Sequence, residues 1–315
     1  MDGNGGKAKP GKFCDPETTA DGAERAQVAL THPKTLWFNT GTLCNIACTN
    51  CYIHSSPTND RLEYISAGDV SRFLAELGEL GWPVEEIGFT GGEPFMNPGI
   101  IKMMEQSLAA GFRVLVLTNA MRPMMRPRLQ QGLKRLVALY GDRLTLRVSL
   151  DHWDRGPHDQ IRGQGSYDET LRGLEWLRDE DVRLALAGRA LWGIDAAQAR
   201  AGYAAFYARH RLKIDAQDPG ATVIFPEMDE TAEVPEISTA CWGILDKHPD
   251  NVMCASSRMV VKRRGRPASV LACTLIAYDP GFELGHSLAE ADRPVALNHP
   301  HCAKFCVLGG AACSI

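Results

Sequence analysis

The sequence predicts an α/β chain: a partial (β/α)6 TIM-like barrel of parallel strands, followed by a small cysteine-rich C-terminal extension. Strand-like and helix-like apolar patterns alternate between about residue 35 and residue 225, which implies parallel strands joined by crossover helices. The strand segments are short and apolar throughout, as in Val114-Leu115-Val116-Leu117, the mark of strands covered on both faces. Beyond about residue 235 the periodicity gives way to cysteines. A doubly wound sheet fits the local patterns equally well. The chain divides into a leader over 1–33, the barrel over 34–234 and the extension over 235–315.

Residues 1–33 are rich in Gly, Lys, Thr, Asp and Pro without sustained periodicity, and read as a loosely held leader. The first strand falls at 35–41. Ser66 then caps a helix whose Val70, Phe73, Leu74 and Leu77 share a face, the spacing of an amphipathic helix. A second strand at 84–90 precedes a helix marked by Ile100, Ile101, Met104 and Leu108, and a third strand covers 113–118. A helix at 129–140 and a strand at 144–150 follow. Ser166 and Glu169 then have the spacing of a capping box, in which each side chain satisfies a backbone donor at the helix start. The remaining strands are 182–187 and 221–225, with Asp195 capping the helix between them.

Of the 315 residues, 44% are apolar and 23% charged, with a net charge of −4. This composition suits a globular chain, and no apolar run approaches the roughly 18 residues of a membrane span. Nothing in the charge balance calls for nucleic acid or an anionic membrane. The opening residues lack the apolar stretch of a secretory signal, which predicts a cytoplasmic protein. Ten cysteines in such a setting read as metal ligands or catalytic thiols rather than disulfides. Cys14 stands alone in a polar segment and receives no role.

Cys44, Cys48 and Cys51 follow the first strand at spacings of four and three residues. In a barrel that loop lies at the C-terminal mouth, where active sites sit. Three thiolates can wrap one metal cluster and leave a coordination position open; a zinc site completed by His54, or plain packing of small thiols, fits the same residues. Gly91-Gly92-Glu93-Pro94 follows the second strand. Its glycines let a ligand approach the main chain, Pro94 stiffens the turn, and Glu93 can accept from an ammonium or be structural.

Together, the Cys-x3-Cys-x2-Cys loop and the Gly-Gly-Glu-Pro turn resemble the radical SAM superfamily over about residues 35–225. The resemblance implies that Cys44, Cys48 and Cys51 hold a [4Fe-4S] cluster whose fourth iron binds S-adenosylmethionine. It assigns the methionyl ammonium to Gly91, Gly92, Glu93 and Pro94, and Tyr52 matches many members. Asn119, Ser149 and Asp151, at the ends of the third and fourth strands, match segments that contact ribose or carboxylate in the family, and Arg162 falls in a matching stretch after the fourth strand. Turn capping by Asn119 and Asp151, and pairing of Arg162 with an acid, explain the same residues without a ligand. The implied activity is reductive cleavage of S-adenosylmethionine to a 5′-deoxyadenosyl radical that abstracts hydrogen from a small-molecule or peptide substrate. A flavodoxin- or ferredoxin-like electron donor is implied with it. A non-catalytic electron carrier or zinc-stapled binding module explains the cysteines but leaves Gly91 to Pro94 without a role.

The second cysteine group runs Cys241, Cys254, Cys273, Cys302, Cys306 and Cys313. Met259 to Lys262 and Ser269 to Ala272 flank Arg263-Arg264-Gly265-Arg266-Pro267, which reads as a β-hairpin. This looks like a SPASM or twitch iron-sulfur extension carrying one auxiliary cluster. Cys254, Cys273, one of Cys302 and Cys306, and Cys313 are its expected ligands, with Cys241 as substitute; a structural zinc knot, which His299 and His301 can serve, is the alternative. The basic run is expected to be a solvated hairpin tip, and Met121, Met124 and Met125 core filling.

Overall fold

The alternation of the sequence appears as strands and helices in a computed structural model that describes residues 11–190, 193–226 and 233–309. In chain order the strands are β1 (Gln27–Val28), β2 (Thr35–Asn39), β3 (Glu86–Thr90), β4 (Arg113–Thr118), β5 (Leu144–Ser149), β6 (Arg183–Arg189), β7 (Thr222–Phe225), β8 (Ser257–Val261), β9 (Ser269–Leu271), β10 (Glu283–Gly285) and β11 (Val295–Ala296). The helices that matter here are α1 (Ala67–Leu80), α2 (Ile100–Ala109), α3 (Pro127–Tyr140), α4 (Arg155–Arg162), α5 (Ser166–Asp179) and α6 (Ala196–His210). Strands β2 to β7 lie side by side in chain order, each parallel to the next. This is the expected partial barrel, with helices returning the chain between strands.

Its residues explain the arrangement. Every residue of β2 is buried, and in α1 Val70, Phe73 and Leu77 face the sheet. Ser66 and Asp69 form the reciprocal cap of α1, while Asp195 and Gln198 do the same for α6, each satisfying donors the first turn leaves over. Inside the barrel, Trp37 lies across Gly88: a Cβ there would stand 2.3 Å from the indole. A glycine in a strand here admits a large side chain from the neighbouring strand.

The structure corrects three expectations. Ser166 does not cap α5; the cap is Gly165 at φ 80° with no side-chain bond. The Asp159 carboxylate supplies the acceptors instead, taking Gly165 N at 3.0 Å, Ser166 Oγ at 3.0 Å and Tyr167 N at 2.8 Å. The described part of the leader, residues 11–33, is tied down. There β1 pairs with β11, and the buried Arg25 bonds Glu236 at 2.5 Å and the Leu297 carbonyl at 3.3 Å. Finally, the line expected between barrel and extension is not a break in the sheet. The predicted hairpin exists as β8 and β9, but β8 also runs parallel beside β2, so the cysteine-rich segment extends the barrel sheet. The basic tip is paired, Lys262 with Asp69 and Arg263 with Glu283. Met121 and Met124 are buried.

Candidate active site

Parallel strands put the C-terminal ends of β2 to β7 at one mouth, and the predicted residues leave from those ends. Cys44, Cys48 and Cys51 line a cavity of about 150 Å³ there. Tyr52, Gly91, Gly92 and Asn119 line it too, as do Ser149, Asp151 and Arg162. The backbone holds the cysteine loop at several points. Thr40 N donates to Thr90 O at 2.8 Å, Cys44 N to Ser56 O at 3.0 Å, and Thr49 N to Ile161 O at 2.8 Å. That last bond ties the loop to α4, which ends in Arg162. The Asn119 amide donates to Asn45 Oδ1 at 2.9 Å and reaches Cys44 Sγ at 3.9 Å.

Burial, and then the nearby Glu93, push the Cys44 thiol up to about 12. Burial also raises Cys48, against the pull of Arg162. Such thiols keep their protons near neutral pH until a metal displaces them. Among the described residues no three His, Cys, Asp or Glu side chains meet at the spacing of a single ion; the three thiols open onto the cavity rather than closing on one point.

In the Gly-Gly-Glu-Pro turn, Gly91 and Gly92 line the cavity and also pack against the cysteine loop. The space a side chain of Gly91 or Gly92 would fill belongs to the cysteine loop: a Cβ on Gly92 would stand 2.2 Å from Leu43 O, and one on Gly91 2.5 Å from Gly41 O. Gly92 N donates to Gly41 O at 2.8 Å and Glu93 N to Leu43 O at 3.1 Å. The glycines therefore let the turn seat against the loop that carries Cys44. Glu93 and Pro94 are buried and do not line the cavity. The Glu93 carboxylate accepts from Asn119 N at 2.8 Å, Phe95 N at 3.0 Å and Thr118 Oγ1 at 2.9 Å. Burial nonetheless raises its carboxyl to about 7, those donors pulling the other way. Its acceptors are committed to the β4 end, so in this arrangement it braces the mouth.

Asp151 joins two arginines. Arg162 donates to it at 2.8 and 3.2 Å, and Arg189 Nε lies 3.2 Å from the same carboxylate. Burial disfavours both charges. Asp151 is nonetheless held below the usual carboxylate range by Arg162 and Arg189, and Arg162 is held above its ordinary value by Asp151 and Cys48. Pairing of Arg162 with an acid is thus real, and it fixes the guanidinium at the cavity wall. Sequence reasoning missed Arg189, Trp37, Phe225, Met253 and Phe305, which also line this cavity. Only Arg189 and Phe225 carried a signal, each closing a barrel strand at the mouth.

In the extension, Cys254, Cys273, Cys302 and Cys306 line a second, small cavity with His301. Cys302 and Cys306 are presented by a π-helical turn over Cys302–Leu308. Burial raises Cys254, and it raises Cys302 further with Cys254 and Cys273 adding to it. Beside them the buried Arg258 donates to the carbonyls of Cys254, Ser257, Ala291 and Arg293. Among the described residues no carboxylate lies within ion-pair distance of it. Cys241 sits apart, its sulfur 3.6 Å from Ser238 Oγ, and Cys313 lies outside the described residues. Cys306 and Leu275 line both cavities, so the two sites share a wall.

Residues 38–187 match the family model described as the Radical SAM superfamily. The antilisterial bacteriocin subtilosin biosynthesis protein AlbA of Bacillus subtilis is 31% identical over 145 residues, 46% of this chain and 30% of that protein. Fe-coproporphyrin III synthase of Methanosarcina barkeri is 28% identical over 155 residues, 49% of this chain and 36% of that one. The matched part is thus about a third of the length of these relatives. Among solved structures, Streptococcus suis SuiB bound to S-adenosylmethionine superposes with a TM-score of 0.59 at 12% identity, over 81% of this chain and 63% of that one. Native anSMEcpe with bound AdoMet gives 0.57 at 14%, over 87% and 84%. These likenesses show the fold. No helix among the described residues is long and apolar enough to cross a membrane.

Proposed function

From a chain that carries a radical SAM domain over residues 38–187, we propose an enzyme that reductively cleaves S-adenosylmethionine at a [4Fe-4S] cluster held by Cys44, Cys48 and Cys51, and takes hydrogen from a small-molecule or peptide substrate. One observation carries the reading: the three cysteines, Gly91 and Gly92, Ser149 and Asp151, and Arg162 leave four different segments and share one cavity at the strand ends. The donor set fits the cluster, since three thiols on one loop leave one iron position for a ligand. When bound, cluster and cofactor supply one-electron cleavage of the sulfonium and hydrogen abstraction.

The remaining work falls to side chains. Asn119 steadies Cys44 through its amide, and Arg162, fixed by Asp151, offers its charge to the cofactor carboxylate together with the Ser149 hydroxyl. The apolar wall of Leu117, Phe225, Met253 and Phe305 excludes water. The reading brings with it a cytoplasmic setting and a flavodoxin- or ferredoxin-like electron donor.

We also propose one auxiliary iron-sulfur cluster on Cys254, Cys273, Cys302 and Cys306. Its support is the convergence of these thiols on one cavity, and the buried Arg258, which among the described residues has no carboxylate within ion-pair distance and whose charge thiolate ligands offset. The shared wall at Cys306 suits electron passage between this cluster and the substrate.

The test is anaerobic reconstitution with iron and sulfide, reduction, addition of S-adenosylmethionine and assay of 5′-deoxyadenosine, with the Cys44→Ala, Cys48→Ala, Cys51→Ala triple variant beside the parent. Product from the parent alone, with residual iron in the variant, is the expected result. No 5′-deoxyadenosine from either, with stoichiometric zinc in both, overturns the reading.

A further inference from the structure

Resting on that reading, we infer that the substrate carries a carboxylate on an apolar or aromatic body, and that Arg189 at the end of β6 receives the carboxylate. Asp151 is one anion facing two guanidinium groups; with Arg162 given to the cofactor carboxylate, what is left to satisfy on this wall is the remaining donors of Arg189. The side chain of Arg189 is 11% exposed. Its Nε is engaged with Asp151, but its Nη1 is buried without a hydrogen-bond partner among the described residues. A guanidinium nitrogen can only donate, and an unanswered charged donor out of water is costly.

Trp37 makes the same demand independently. Its Nε1 is buried without a partner among the described residues and its ring lines the same cavity; an indole N–H, too, can only donate. Both groups therefore call for acceptors, and a carboxylate is the acceptor that a guanidinium bonds most strongly. The surrounding Leu117, Phe225, Met253, Leu275 and Phe305 offer a small apolar enclosure. A carboxylate meets these few donors with two oxygens, whereas a phosphate would leave charged oxygens against apolar walls. The cofactor carboxylate is assigned to Ser149 and Arg162, which leaves Arg189 for the substrate.

The experiment uses the anaerobically reconstituted holoenzyme saturated with S-adenosylmethionine, and isothermal titration with phenylacetate and its neutral counterpart phenylacetamide. The acid is expected to bind at least about tenfold more tightly than the amide, the lower end of what a charge-assisted hydrogen bond contributes. In Arg189→Gln that ratio falls to near one, while Arg189→Lys, which keeps the charge, retains part of it and guards against a folding defect. Equal affinities for acid and amide in the parent, no saturable phenylacetate binding, or a ratio unchanged in Arg189→Gln overturns the inference. So does a variant that loses S-adenosylmethionine affinity at an unchanged ratio, because Arg189 then serves the cofactor. The ratio is read without turnover. A failed 5′-deoxyadenosine assay beside an intact ratio counts against the enzyme reading, and a failed ratio beside an active enzyme counts against this one alone.

Discussion

Gly92→Ala tests the role assigned to the Gly-Gly turn. The added Cβ would stand 2.2 Å from Leu43 O, 2.6 Å from Leu43 C and 2.8 Å from Thr42 O. All three are backbone atoms, so no side chain can rotate away and the loop itself has to move. Overpacking of this kind costs about 1–3 kcal/mol. The movement also breaks or stretches the bonds from Gly92 N to Gly41 O at 2.8 Å and from Glu93 N to Leu43 O at 3.1 Å, each worth about 0.5–1.5 kcal/mol. A loss of about 2–6 kcal/mol follows, within reach of a total stability of about 5–15 kcal/mol. Because Cys44 is the next residue after Leu43, the displacement also moves the first proposed cluster ligand. Urea unfolding and iron analysis after reconstitution read the two effects. The expected variant has a lower midpoint and less iron, with the deficit at the Cys44, Cys48 and Cys51 site. Gly78→Ala is the control: this exposed residue of α1 has nothing within 4 Å of its Cβ position, and the change stabilises a helix interior by about 0.5–1 kcal/mol. A Gly92→Ala protein with the parent's midpoint and iron content refutes the account of the turn.

Asp159→Ala is expected to cost about 2 kcal/mol by removing the acceptor shared by Gly165 N, Ser166 Oγ and Tyr167 N, whereas Glu169→Ala stays within about 0.5 kcal/mol; equal urea midpoints for the two variants contradict the assignment of the cap. The Glu93 carboxyl, about 7 in the fold against about 4.3 in an unfolded chain, binds its proton more tightly when folded. Its contribution is therefore fully present below about pH 4 and lost as pH rises through 7. Metal-free protein should lose up to about 4 kcal/mol across that window, and Glu93→Gln should flatten the decline; parallel slopes of urea midpoint against pH for the two proteins rule this out.

The barrel was legible because its signals are local. An apolar run such as Val114 to Leu117 can only be covered on both faces, and Ser66 and Asp195 lie next to the donors they cap. The cysteine loop and the turn at Gly91 were legible for the same reason, through spacing within a few residues. What failed to show depends on partners far away in the chain. Arg25 looks like one charge in a polar leader until Glu236, 211 residues on, takes it into a buried pair. Ser166 and Glu169 satisfy the capping-box spacing, but Asp159, reaching across the turn at Gly163 and Gly165, answers the helix donors first. Gly92 has no local reason to be glycine at all. Its reason is Leu43, on the neighbouring strand's loop, and that makes the turn and the cysteine loop one mechanical unit: the residue that seats the turn also fixes where Cys44 stands. A site assembled in this way is sensitive to substitutions that touch no ligand, and its missed members, Arg189 and Trp37, are the ones whose meaning lies in a cavity rather than in a neighbour along the chain.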